Sequence, residues 1–138
     1  MKATKKDVTI TDYNEELVTF AETIDFTDLF NHIRTCANIS CGFDAPEIST
    51  NRSGEVFIRF MSADITSQTG AFAPILKHCY IGSFSNGVYK DKKTSEIGYW
   101  VNVTIQYEHK GGGRNGMEVA DAWYTETKGW IFEDVKSN

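Results

Sequence analysis

The sequence predicts an α+β fold in which an N-terminal helix or helix pair packs on a curved antiparallel sheet of about four to six strands. Three observations carry this expectation. Between Asn14 and Ala37 apolar residues return every three or four positions, the spacing of one helix face. From Ile97 to Glu108 they alternate strictly, the spacing of a half-buried strand. Elsewhere, glycine-bearing turns separate short β-branched and aromatic runs. A chain of 138 residues suits one domain and buries a real core at that length. Its 41% hydrophobic and 13% aromatic content and only two prolines separate it from disordered compositions.

The helical stretch places Leu17, Phe20, Ala21 and Ile24, then Leu29, Phe30 and Ile33, on one face, with Asp12 and Asn14 as candidate N-caps. The β-branched and aspartate-containing junction Thr23–Asp28 predicts either a kink or a division into two helices, Asp25 or Thr27 capping the second. Cys41–Pro46 carries turn chemistry. Glu55–Met61 then reads as a strand, Thr66–Ala73 is polar and small, and Ile75–Phe84 reads as a second strand. The Asn86-Gly87 dipeptide predicts a tight primed turn, with Val88–Lys90 as its return strand. In Ile97–Glu108 the residues Ile97, Tyr99, Val101, Val103, Ile105 and Tyr107 share one face. Met117–Glu126 alternates Met117, Val119, Asp121 and Trp123 against Glu118, Ala120, Ala122 and Tyr124. Thr127–Gly129 makes a turn, Trp130–Phe132 a short last strand, and Val135–Asn138 a polar, frayed tail.

The run His109–Gly116, HKGGGRNG, invites comparison with phosphate-binding loops. Such loops work because backbone donors converge where a helix begins. Here the next element is a strand, so the glycines read as a hairpin connection supplying positive-φ positions. Lys110 and Arg114 beside it are candidate grips for an anionic partner surface.

Composition narrows the function classes. Fourteen basic against 19 acidic residues, net charge −5, argue against a nucleic-acid partner, whose affinity needs clustered cations. No run of five or six carboxylates suggests an acidic mimic. The opening MKATKKDVTITDY lacks an apolar stretch and no window approaches a membrane span, so a cytoplasmic protein with no membrane partner is expected. Three cysteines cannot all pair with one another, and reduced thiols are the expectation.

Among chemistry-bearing residues Asp121 stands out as a catalytic candidate. Its same-face neighbours Val119 and Trp123 are apolar, so strand alternation puts it on the buried side, where desolvation would raise its pKa as a general base needs. The competing readings are a β-bulge that turns it outward and a hydrogen bond to a buried tyrosine or tryptophan. His32, Cys36, Cys41, His78 and Cys79 lack a second closely spaced cysteine pair, so no metal and no cofactor is expected. No serine elbow or cysteine-histidine signature is present, and His78-Cys79, adjacent on a strand, point to opposite faces. Tyr99, Tyr107 and Trp123 would line a pocket if the helices leave one open. Trp100 and Tyr124, on the polar faces of their strands, make a contact patch for a protein partner.

The segments YWVNVTIQYEH, MEVADAWYTE and TKGWIFED, preceded by helices, resemble the C-terminal part of the cystatin-like α+β roll of the nuclear transport factor two superfamily. The resemblance covers about the last third of the chain and is a pattern, not a specific motif. It implies a sheet folded around a cone-shaped pocket closed by the helices, with Asp121, and Tyr99 or Tyr107, facing the cone. Some members are isomerases or dehydratases; many only bind ligands or dimerise. No histidine-aspartate pair of this chain matches the catalytic pattern. Three functions stay open: a non-enzymatic binding module for a protein, a small apolar ligand or a second copy of itself; a small lyase or isomerase using Asp121; and a phage- or mobile-element-encoded inhibitor acting by protein contact.

Overall fold

A computed structural model describes residues 1–37, 39–68 and 76–133. The helical stretch is two helices, α1 (Glu15–Ala21) and α2 (Thr27–Ala37). Local hydrogen bonds explain the break. The Thr23 hydroxyl donates back to the Phe20 carbonyl at 2.7 Å, and Asp25 Oδ1 accepts from the Thr27 amide at 2.9 Å. Both offer the backbone an alternative to continuing the first helix. Asn14 occupies the N-cap position of α1 without capping it. Its buried side chain instead accepts from the Thr11 amide at 2.7 Å and donates to the Thr9 carbonyl at 3.2 Å, pinning the incoming loop.

Nine strands are described. The main sheet has seven, in the order β1 (Thr4–Lys5), β3 (Glu47–Thr50), β4 (Val56–Arg59), β6 (Leu76–Lys90), β7 (Ile97–His109), β8 (Arg114–Thr125) and β9 (Gly129–Phe132). Only β1–β3 is parallel; every other neighbouring pair is antiparallel. A second sheet pairs β2 (Ile39–Phe43) with β5 (Ser62–Gln68). The α+β class therefore holds, while the strand number exceeds the expected four to six. Among the extra strands β1 and β3 have only two and four residues, the seven of β5 are mostly polar or small, and β2 includes Cys41-Gly42-Phe43, whose glycine reads locally as a turn.

Asn86-Gly87 is not a turn, which corrects the sequence expectation. Both residues lie inside the 15-residue β6, Asn86 opposite Val101 and Gly87 opposite Trp100. The long ladder with β7 outweighs the dipeptide's preference, and Asn86 Oδ1 accepts the Ile58 amide at 2.8 Å, tying β6 to β4. The reversal comes instead at Asp91–Glu96, where the Asp91 carboxylate accepts the Lys93 and Thr94 amides and Ser95 takes φ 61°. The start of the expected strand at Ile75, most of the polar stretch before it and the C-terminal tail lie outside the described residues. The glycine run is a hairpin tip: the His109 amide donates to Gly113 O, Gly112 adopts φ 95°, and strand β8 follows directly.

The helices cover one face of the sheet, α1 packing on β4, β6 and β7, and α2 on β8. Phe26, fully buried in the link between them, centres the core, its ring 5.7 to 6.0 Å from those of Tyr99, Phe30, Trp130 and Phe60. Tyr99, Val101, Val103 and Ile105 of β7 lie beneath, at most 1% exposed. Burying such side chains contributes about 1.5–3 kcal/mol each. No helix among the described residues is long and apolar enough to cross a membrane.

Candidate functional site

Asp121 is positioned by a β-bulge. In the β7–β8 ladder Thr104 pairs with Glu118 but Val103 pairs with Ala120, so Val119 is an extra residue and the two-residue alternation restarts after it. Val119 and Ala120 are consecutive and both fully buried. Ala120 and Ala122 consequently face the helices, and Asp121 and Trp123 face away. The expected buried carboxylate is thus corrected: Asp121 is half-exposed on the outer face, opposite Asn102, and accepts a hydrogen bond from Trp100 Nε1 at 2.9 Å. Both competing readings hold in part, the bulge and the tryptophan partner.

No described element covers that outer face around β7–β9. Across it runs a row of directly opposed residues. The Val56–Val88 pair places Phe57 opposite Gly87 one step along; Gly87 pairs with Trp100, Trp100 with Trp123, and Trp123 with Ile131. Phe57, Trp100 and Trp123 are half-buried by their strand neighbours, and Ile131 is 43% exposed. Adjacent strands lie about 4.8 Å apart, so the row spans five strands over roughly 19 Å, with apolar side chains on β4, β7, β8 and β9 and the bare Gly87 on β6. One step along the strands lies a polar row, Asn102, Asp121 and Glu133, whose amide extends the β8–β9 ladder by donating to Asp121 O at 2.9 Å. Glu118, opposite Thr104, lies one step further along β8 on the same face. On the other flank the Tyr89 ring lies over Gly98, where an added Cβ would sit 2.5 Å from the tyrosine oxygen. Burial, then the nearby Asp91 and Glu96 carboxylates, raise the pKa of that phenol.

The predicted pocket trio is divided between the two faces. Tyr99 is fully buried, its hydroxyl 3.4 Å from Ile58 O and its ring against Phe26 and Trp130, and burial pushes its pKa well above the ordinary value. Tyr107 donates to Ala37 O at 3.0 Å. Trp123 faces the other way, so the three do not share one cavity wall. The bulge also reverses Tyr124, expected on the contact patch: it packs inward against Phe20 and Trp130, ring centroids 6.0 and 5.2 Å away. Trp100 alone of that pair reaches the outer surface. Lys110 and Arg114 are exposed at the β7–β8 hairpin, Arg114 3.5 Å from Glu108.

Other chemistry is sparse among the described residues. His32 Nε2 lies 3.4 Å from Cys36 Sγ and its ring stacks on Phe132 at 4.0 Å, but no group of three metal-ligating side chains forms. Burial raises the Cys36 and Cys41 pKa values, the Arg34 charge opposing it at Cys41, so neither is favoured as a thiolate. The His78 and Cys79 side chains lie outside the described set. His109 contacts Asn115 at the hairpin. Asp12, Glu15, Glu16, Glu96 and Glu126 surround Phe20 and Ile97 in an open groove of about 660 Å³. Phe57 and Ile131, missed in the sequence, were marked by one signal: each sits between two residues that face the helices. Compared with models of known protein families, with curated proteins and with solved structures, the chain matches none.

Proposed function

We propose that the chain is a non-enzymatic binding module and that the outer sheet face, centred on Trp100 and Trp123, contacts its partner. The observation that supports this reading is the row Trp100, Trp123 and Ile131, directly opposed across β7, β8 and β9 on a face that no described element covers there, with Phe57 in line beyond Gly87. A row of large apolar side chains rimmed by polar ones is the composition of an interface centre, and tryptophan is enriched among residues that dominate binding. The general-base reading loses its motive, because Asp121 is neither desolvated by the core nor beside a described histidine. The likeness to cystatin-like rolls rests on helices preceding a sheet of long antiparallel strands; within that family this chain would belong with the members that bind.

The test is capture from the native host by the wild type and by Trp123→Ala. The expected result is loss of a saturable partner in the variant, with thermal stability changed by less than about 1 kcal/mol, as for a surface substitution. Equal capture by both proteins would remove the face from consideration.

A further inference from the structure

Among the described residues some surface carboxylates are paired with a cation and others, around the apolar row and elsewhere, are not. Glu16, Glu22, Glu47 and Glu108 are each paired with a lysine or arginine, at 3.0 Å to Lys90, 3.2 Å to Lys5, 3.5 Å to Lys6 and 3.5 Å to Arg114. Asp121, Glu133 and Glu118 have no cationic partner among the described residues. Register sets Asp121 opposite Glu133 and both one step, about 7 Å along the strands, from Trp123 and Ile131. The Trp100 indole donates to one oxygen of the Asp121 carboxylate at 2.9 Å, which holds the carboxylate beside the apolar row.

Resting on the binding-surface reading above, we infer that this face docks a basic protein segment, one alternating apolar residues with lysine or arginine. The apolar residues lie along the Trp100–Trp123–Ile131 row. The cationic heads reach the opposed Asp121 and Glu133, Glu118 one step further along β8, and the tryptophan rings, which attract cations through their quadrupole. A second copy of the chain is a poorer occupant, because face-to-face packing would oppose the unpaired carboxylates.

The experiment titrates two synthetic peptides of about eight residues, strand length, into the isotope-labelled full chain; one alternates valine with lysine, the other valine with glutamate. Nuclear magnetic resonance follows the three indole signals and the side-chain carboxyls. The lysine peptide is expected to shift Trp100, Trp123 and the three carboxylates more than Trp130. It should bind at least about tenfold more tightly than the glutamate peptide and weaken about tenfold or more between 50 and 500 mM salt. The combined variant Asp121→Asn, Glu118→Gln, Glu133→Gln should lose that preference; the amide oxygen that replaces the Asp121 carboxylate can still accept the Trp100 indole hydrogen, and an unchanged indole spectrum verifies the fold. Equal binding of both peptides, no shift with either, or shifts confined to the groove around Glu15 and Glu96 would overturn the inference. The host-capture assay separates the two levels. A partner lost with Trp123→Ala but retained by the neutralised variant refutes the basic segment and leaves the surface standing; retention by both refutes both.

Discussion

The two faces of strands β7 and β8 are built from the same stretches of chain and have opposite properties. Toward the helices stand Tyr99, Val101, Val103, Ile105, Ala120 and Ala122, all essentially inaccessible. Away from them stand Trp100, Asn102, Thr104, Asp121 and Trp123, all half-exposed. The contrast shows that hydrophobicity alone does not assign a face, since the two tryptophans are on the outside and two alanines on the inside. What assigns it is register, and in β8 register depends on one extra residue, Val119.

The strongest way to break the comparison is to exchange properties between neighbours. Ala122→Asp would put a carboxylate beneath the helices without a partner and should destabilise the protein by about 4 kcal/mol or more, whereas Asp121→Asn, one residue away, should cost under about 1 kcal/mol. Urea denaturation of the two variants measures both; similar losses would mean that the two positions share an environment. Next in size, Phe26→Ala removes the ring contacted by four other aromatic rings and should cost about 3–5 kcal/mol in the same assay, because the sheet and both helices cannot collapse into the space. A loss below about 1 kcal/mol would show that the inner face is not packed around this ring.

The smallest effect concerns the helix junction that holds Phe26 in place. Hydrogen bonds from the N-terminal ammonium and from Thr27 keep the Asp25 carboxyl well below its usual range. A carboxyl whose folded-state pKa is depressed contributes stability that is present above its unfolded value of about 3.9 and disappears as pH falls toward the folded value. Asp25 is exposed, so screening keeps the contribution below about 1 kcal/mol. Wild type should therefore exceed Asp25→Asn in stability at pH 7 and lose that advantage below about pH 4; a constant difference across this range would mean that the ionised carboxylate is not what matters.

Much of the fold was legible in the sequence because its signals were long. Six apolar positions at helical spacing fall in α1 and α2, with Ile24 in the link, and six alternations define β7. Short elements were not legible: β1 has two residues, and β2 runs through Gly42. Asn86-Gly87 misled because a local preference of two residues was set against pairing along almost the whole of β7. The site was misassigned for a related reason. With Ala120 and Ala122 counted among the polar positions of β8, the apolar Met117, Val119 and Trp123 pointed to an inward Asp121. The adjacent pair Val119-Ala120 was the one sign of a bulge. Counting the alanines as apolar groups them with Tyr124 on the inside and leaves Asp121 and Trp123 in solvent. That arrangement leaves the carboxylate solvated, which strand alternation alone could not favour over the other frame.

Relaxation enhancement by a soluble nitroxide tests this assignment most directly, because it reads the accessibility of both faces of one strand in a single sample. The Trp100 and Trp123 ring signals should broaden strongly while the Ala120 and Ala122 methyls stay sharp. Broadened alanine methyls beside a protected Trp123 ring would contradict the bulged register and, with it, the proposed binding face.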